Sequence, residues 1–177
     1  MDLKQLILDL IKGNEKAQWK FFELTADRMM GVAMRYTKDR NTSKDVLQEA
    51  YIRIYDKLPG FEYRSERGLQ VWMSKIVSRE AIRWIKANQR YSWTEEVPLE
   101  NPGSKSREED PFFQSDLMEY LNKLPEAHRI VFNLYIIESY SHKEIEEITG
   151  IAEVTSRSHL SRARKKLQDL MNDKVKK

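Results

Sequence analysis

Arg157, Ser158, Ser161, Arg162 and Lys165 stand at steps that repeat one side of a helix. Such a face can reach phosphates with its cations and guanine edges with its arginines, as a helix entering a major groove must. The segments around it are suited to hold it there. Leu160, Ala163, Leu167 and Leu170 recur at three-and-four spacing and predict the buried stripe of the same helix. Upstream, Ser141 and Glu144 have the S-x-x-E spacing of a capping box, which marks the start of a shorter helix with Ile145 and Ile148 along its apolar edge. Gly150 supplies the permissive backbone for a tight turn, after which Ile151 enters the core. A basic amphipathic helix alone would more simply be a solvated face. Cap, turn glycine and basic helix together favour a helix-turn-helix that binds DNA.

A second set of cations lies upstream. Lys75, Arg79, Arg83, Lys86 and Arg90 follow one another at steps of three or four, with Phe61 and Tyr63 before them and Tyr91 and Trp93 after. Cations that track a backbone and rings that stack on bases are what gripping an opened strand requires. The helix carrying them is predicted from about Glu66 to Gln89, with Trp72, Ile76, Val77, Ala81, Trp84 and Ile85 as its buried side. Trp72 and Trp84 read as core, while the loop from Phe61 to Tyr63 stays open between cover and site. A further helix, Asn41 to Leu58, has cap candidates Asn41, Thr42 and Ser43 and a stripe of Val46, Leu47, Ala50, Ile54 and Leu58. Opposite that stripe lie Asp45, Gln48, Glu49, Ile52 and Arg53, which on their residue types alone form a wet face.

Composition permits these readings. The 177 residues are 40% apolar and 33% charged, a globular balance, and the N-terminal stretch LKQLILDLIKG is too short and too charged to span a membrane. With no cysteine, disulfides and thiolate metal sites are excluded. His128, His142 and His159 show no ligand spacing and no phosphate-cradling glycine loop is present, so neither an enzyme nor a bound cofactor or metal is expected. The net charge is only +3, but its distribution is uneven. Val154 to Lys177 holds eight Lys or Arg against two Asp, whereas Glu95 to Asp110 holds six acids against two bases. Pro98, Pro102 and Pro111 fall in that acidic stretch, where no apolar period survives. The expected fold is therefore all-α: two small helical domains, 1–91 and 112–177, joined by a flexible acidic linker, 92–111, with the helix-turn-helix in the second.

The order of these segments resembles the ECF (extracytoplasmic function) sigma factors of bacterial RNA polymerase. Its most specific pieces are D-x-L-Q-E at Asp45 to Glu49 and the T-x-R-S-x-L-S-R-A-R run at Thr155 to Arg164, and the likeness extends from about Trp19 to Leu170. The resemblance implies a cytoplasmic transcription factor that binds core RNA polymerase and promoter DNA. Asp45, Gln48, Glu49 and Arg53 would dock on the clamp helices of the largest polymerase subunit, in place of the wet face. Phe61, Tyr63, Lys75, Arg79, Arg83 and Lys86 would belong to the minus-ten surface, with a flipped base held by the loop. Thr155, Arg157, Ser158, Ser161, Arg162 and Lys165 would face the minus-thirty-five element. The acidic linker would imitate an anionic strand within polymerase channels, and an anti-sigma factor covering the docking face is a further implied partner.

Several positions depart from the family pattern. Arg79 and Arg83 stand where the basic helix usually carries Asn and Asp, Glu146 stands where a small residue is usual, and Val154-Thr155-Ser156 replaces a G-T-V motif, which points to a looser C-terminal lobe. The rival class is a stand-alone helix-turn-helix regulator of the LuxR-like type, which would bind DNA alone and not touch core polymerase.

Overall fold

Short polar side chains start the helices of the N-terminal unit by taking up their open amides. Helix α1 (Leu3–Ile11) begins on Asp2, whose carboxylate accepts from the Lys4 amide at 3.1 Å. Helix α2 (Glu15–Thr37) begins on Asn14, which accepts from Lys16 and Ala17. Helix α3 (Arg40–Lys57) begins on Asp39, which accepts from the Thr42 amide at 2.9 Å, and those bonds hold its carboxyl below the ordinary value. The expected caps Asn41, Thr42 and Ser43 are thus inside the helix. Ser43 is fully buried and its hydroxyl donates back to the Asp39 carbonyl at 2.7 Å. A 3-10 turn (Leu58–Gly60) ends α3, and helix α4 (Glu66–Asn88) follows, with the Gly68 amide donating to Ser65 Oγ at 3.0 Å.

The computed structural model describes residues 2–88 and 113–175, and it divides into two compact units, residues 1–88 and 89–177. The expected linker at 92–111, with Arg90, Tyr91 and Trp93 around it, lies outside the described residues. All regular structure described is helical. In the first unit α2, α3 and α4 pack on one another and α1 packs on α2. Phe21, Met29, Tyr36, Ala50, Ile54, Leu58, Leu69, Met73, Val77 and Ile82 are almost wholly removed from water. Polar links join α2 to α3 within this core: the Thr25 and Tyr51 hydroxyls meet at 2.6 Å, which satisfies two groups that burial would otherwise strand.

The tryptophans of α4 depart from expectation. Trp84 is 36% exposed and Trp72 only half-buried, whereas Leu69, Met73 and Ile82 take the core positions beside Ile76, Val77, Ala81 and Ile85. Trp72 instead lies at the edge of the helix packing, where its ring stacks on Phe61.

The second unit comprises α5 (Phe113–Asn122), α6 (Glu126–Phe132) with a π-helical extension (Asn133–Ile137), α7 (His142–Thr149) and α8 (Glu153–Val175). Leu121, Leu124, Ile130, Val131, Leu134, Ile145, Ile151, Leu160, Ala163 and Leu167 form its core. Leu117, Ile148 and Leu170, expected there, are only half-buried; Tyr140 and Thr149 are buried in addition. No helix among the described residues is long and apolar enough to cross a membrane.

Candidate nucleic-acid interface

Helix α7 and the start of α8 are joined by a turn that is hydrogen-bonded at each step. The Ser141 amide donates to Glu144 Oε2 at 2.7 Å and the Glu144 amide to Ser141 Oγ at 3.2 Å, a complete capping box. Gly150 closes the helix at φ 81°, a left-handed conformation that favours glycine. Thr149 Oγ1 donates to the Ile145 carbonyl at 2.7 Å and accepts from the Ile151 amide at 3.0 Å, so Ile151 is led into the core. Glu146 then reaches across the turn. Its carboxylate points outward and accepts from the Glu153 amide at 3.1 Å, at the first residue of α8. The side chain at position 146 thus caps the next helix.

On α8, Arg157, Arg162 and Lys165 are exposed and Thr155 and Ser161 half-exposed, all among the residues expected to meet DNA. Ser158 does not join them. Its side chain is 4% exposed, and a hydroxyl enclosed by protein cannot meet a base edge in this conformation. Arg157 donates to Glu153 Oε2, one turn earlier, at 3.0 Å. The second unit also holds histidines that the sequence marked only by their lack of ligand spacing. His142 stacks on Tyr135 with ring centres 4.4 Å apart and meets Ser156 Oγ through Nδ1 at 2.8 Å. His128 lies 4.9 Å from His159, and burial, with His159 and Arg162 nearby, pushes its pKa down to about 4.

In the N-terminal unit two faces of opposite chemistry stand on adjacent helices. Asp45, Gln48, Glu49 and Ile52 are exposed on α3, Ile52 to 50%. Helix α4 bears Arg79, Arg83 and Lys86 exposed and Lys75 half-buried. Phe61, half-buried, stacks on Trp72 at 4.5 Å between ring centres, and Tyr63 is also half-buried. Arg53 differs from its neighbours on α3. It turns toward α4 and forms an ion pair with Glu80, a residue that the sequence reading did not single out. Arg83 joins the same carboxylate at 3.2 Å.

Residues 21–91 match the family Sigma-70 region 2, and residues 114–167 match Sigma-70, region 4. The chain belongs to the ECF branch of the sigma-70 family. Its relatives include the ECF RNA polymerase sigma factor SigE of Mycolicibacterium smegmatis, 26% identical over 168 residues, which are 90% of this chain and 64% of that longer protein. Another is the ECF RNA polymerase sigma factor SigM of Bacillus subtilis, 26% identical over 144 residues, 77% of this chain and 83% of that one. Among solved structures, CnrH in complex with the cytosolic domain of CnrY is 19% identical with a TM-score of 0.50, covering 95% of this chain and 96% of that one, a likeness of fold. In this sigma factor region 2 takes in α3 and α4, and region 4 takes in the helix-turn-helix of α7 and α8. A region 2 match across the first unit leaves the LuxR-like alternative without its separate sensing lobe.

Proposed function

We propose that this chain binds core RNA polymerase and directs it to promoters, docking through α3 and reading DNA through α4 and α8. The observation that carries the reading is the match to both sigma-70 regions, in chain order, on two helical units with suitable exposed faces. Asp45, Gln48 and Glu49 would meet the polymerase clamp. Arg79, Arg83, Lys86 and Lys75, with the ring pair Phe61 and Trp72 and with Tyr63, would serve the minus-ten element. Thr155, Arg157, Ser161, Arg162 and Lys165 would serve the minus-thirty-five element. Phosphate contacts by such cations supply much of the affinity, and base-edge contacts supply the choice of sequence. The domain limits proposed with this reading are 1–91 and 112–177, the acidic stretch 92–111 between them imitating nucleic acid. The protein would act in the cytoplasm and perform no chemistry of its own, the polymerase being the enzyme.

Run-off transcription with purified core polymerase and genomic fragments tests it. Promoter-specific transcripts should appear only when the chain is added. DNA binding by the chain alone, with no association to core and no new transcripts, would restore the stand-alone regulator.

A further inference from the structure

The carboxylate of Glu80 sits between the two faces of the N-terminal unit. Its side chain is 7% exposed, and a carboxylate so far from water is tolerable only when cations and hydrogen bonds replace its hydration. It has two such cations. Arg53 comes from α3, its Nε against Glu80 Oε1. Arg83 comes from one turn further along α4, its Nη1 3.2 Å from Oε1 and 3.3 Å from Oε2. The guanidinium side chains stay open to solvent, Arg53 at 40% and Arg83 at 59%. Each carries five N–H donors, so each can hold Glu80 and still offer donors outward.

We propose that Glu80 is a positioning residue that aims Arg83 at promoter phosphate through a carboxylate shared with Arg53 of the polymerase-facing helix. The proposal rests on the sigma-factor reading above. The Arg83 side chain is 59% exposed, and an unrestrained arginine there would grip any backbone within reach. Fixed on Glu80, it presents its remaining donors in one direction and with part of its charge balanced. Arg53 sets how strongly. While Arg53 shares the carboxylate, Arg83 is held loosely enough to meet a phosphate; without Arg53, the whole anionic charge falls on Arg83 and draws it inward. A residue on the docking helix α3 would thereby adjust one on the basic face of α4.

Two substitutions on one network should then move DNA binding in opposite senses, which damage to the fold would not do. Full-length chain is assembled with saturating core polymerase, and binding to labelled promoter and to unrelated duplex is measured over a salt series. Glu80→Gln should steepen the log–log salt dependence on unrelated duplex by up to about 0.9, the value for one further phosphate neutralised, and lower promoter preference. Arg53→Gln should make the salt dependence shallower and weaken promoter binding by about tenfold, the lower end for loss of one charge-assisted contact. In the Glu80→Gln background, Arg53→Gln should have no further effect on DNA. A wild-type salt slope in Glu80→Gln, or equal losses from Arg53→Gln with and without Glu80, overturns the proposal. If Glu80→Gln melts below the assay temperature, Arg53→Gln is compared with and without Arg83→Gln. A loss that persists undiminished beside Arg83→Gln overturns the proposal equally. Failure of the wild-type chain to assemble with core would instead refute the sigma-factor reading, and it would be seen before any variant is compared.

Discussion

Glu146 Oε2 accepts from the backbone amide of Glu153 at 3.1 Å, so a side chain of α7 caps the first turn of α8. A carboxylate at a helix N-terminus both satisfies an open amide and meets the positive end of the helix dipole. Being exposed, the contact belongs at the modest end of such effects. Glu146→Ala should destabilise the chain by about 0.5–1 kcal/mol, read as a lowered denaturation midpoint with unchanged slope. An unchanged midpoint would mean that water replaces the cap without loss.

Ser139 holds φ 60° between the π-helical segment and the capping box of α7. An L-residue in that region is strained by its own Cβ, and glycine is not. Glycine also loosens the unfolded chain, which offsets part of the gain. Ser139→Gly should therefore stabilise by about 0.5 kcal/mol, a small rise in melting temperature. A fall would show that the serine side chain contributes more than its backbone strain removes.

What the sequence displayed was mainly local. The capping box at Ser141 and Glu144, the left-handed Gly150 and the stripe of Leu160, Ala163 and Leu167 depend on residues a few places apart, and the helices form as their spacing predicts. What it hid was tertiary. Periodicity marks Ser158 as outward-facing, yet the packing of the second unit encloses it; the same rule places Trp84 inside, whereas Ile82 and Ile85 are buried and Trp84 is left 36% exposed. The pairing of Arg53 with Glu80 joins residues on different helices, and no local spacing announces it. The start of α3 moved to Asp39 because Asn41, Thr42 and Ser43 are all acceptable cap types, and only geometry chooses among adjacent polar residues.

Acid should weaken the fold through its histidines. Burial first, then the neighbouring His159 and Arg162, hold His128 at about 4, below the ordinary 6.5. Burial first, then Arg157, lowers His142 also, with Glu153 opposing. Because the unfolded chain takes up protons that the folded one refuses, stability is full above pH 6.5 and falls as pH drops toward 4. For His128, allowing for solvent screening, the loss between pH 7.5 and 5 should be about 1 kcal/mol. Melting of wild type and His128→Gln across this range checks it: the variant should show the flatter profile, and parallel profiles would remove His128 from the account.

Gln48 and Glu49 are exposed on α3 and turn away from its buried side. The double substitution Gln48→Ala with Glu49→Ala removes polar groups from that face without opening the core, so the melting temperature should hardly move. Core polymerase affinity should fall by about tenfold or more, since a lost hydrogen bond involving a charged group at an interface centre is worth roughly 1–3 kcal/mol. Titration of labelled core measures it, and wild-type affinity would send the docking assignment elsewhere on the unit.

Arg157 and Arg162 are both exposed on α8 but differ in their surroundings. Arg157 is paired with Glu153 at 3.0 Å, a solvent-exposed contact that contributes little and is readily exchanged for a base edge or phosphate. If each arginine reads a base, Arg157→Ala and Arg162→Ala should each weaken promoter binding by about 1–3 kcal/mol and relax preference at one base pair. Phosphate clamps would instead lose affinity on every sequence equally and reduce the salt slope by about one. Glu153→Ala separates the contributions of Arg157. Without the acid, Arg157 meets DNA with its full charge, so unrelated duplex should bind more tightly at low salt, and the gain should fade as salt rises. Holoenzyme binding to a set of single-base promoter variants, measured for all three substitutions, distinguishes the two roles: a specificity change confined to one base pair identifies a reader, and a uniform loss identifies a clamp.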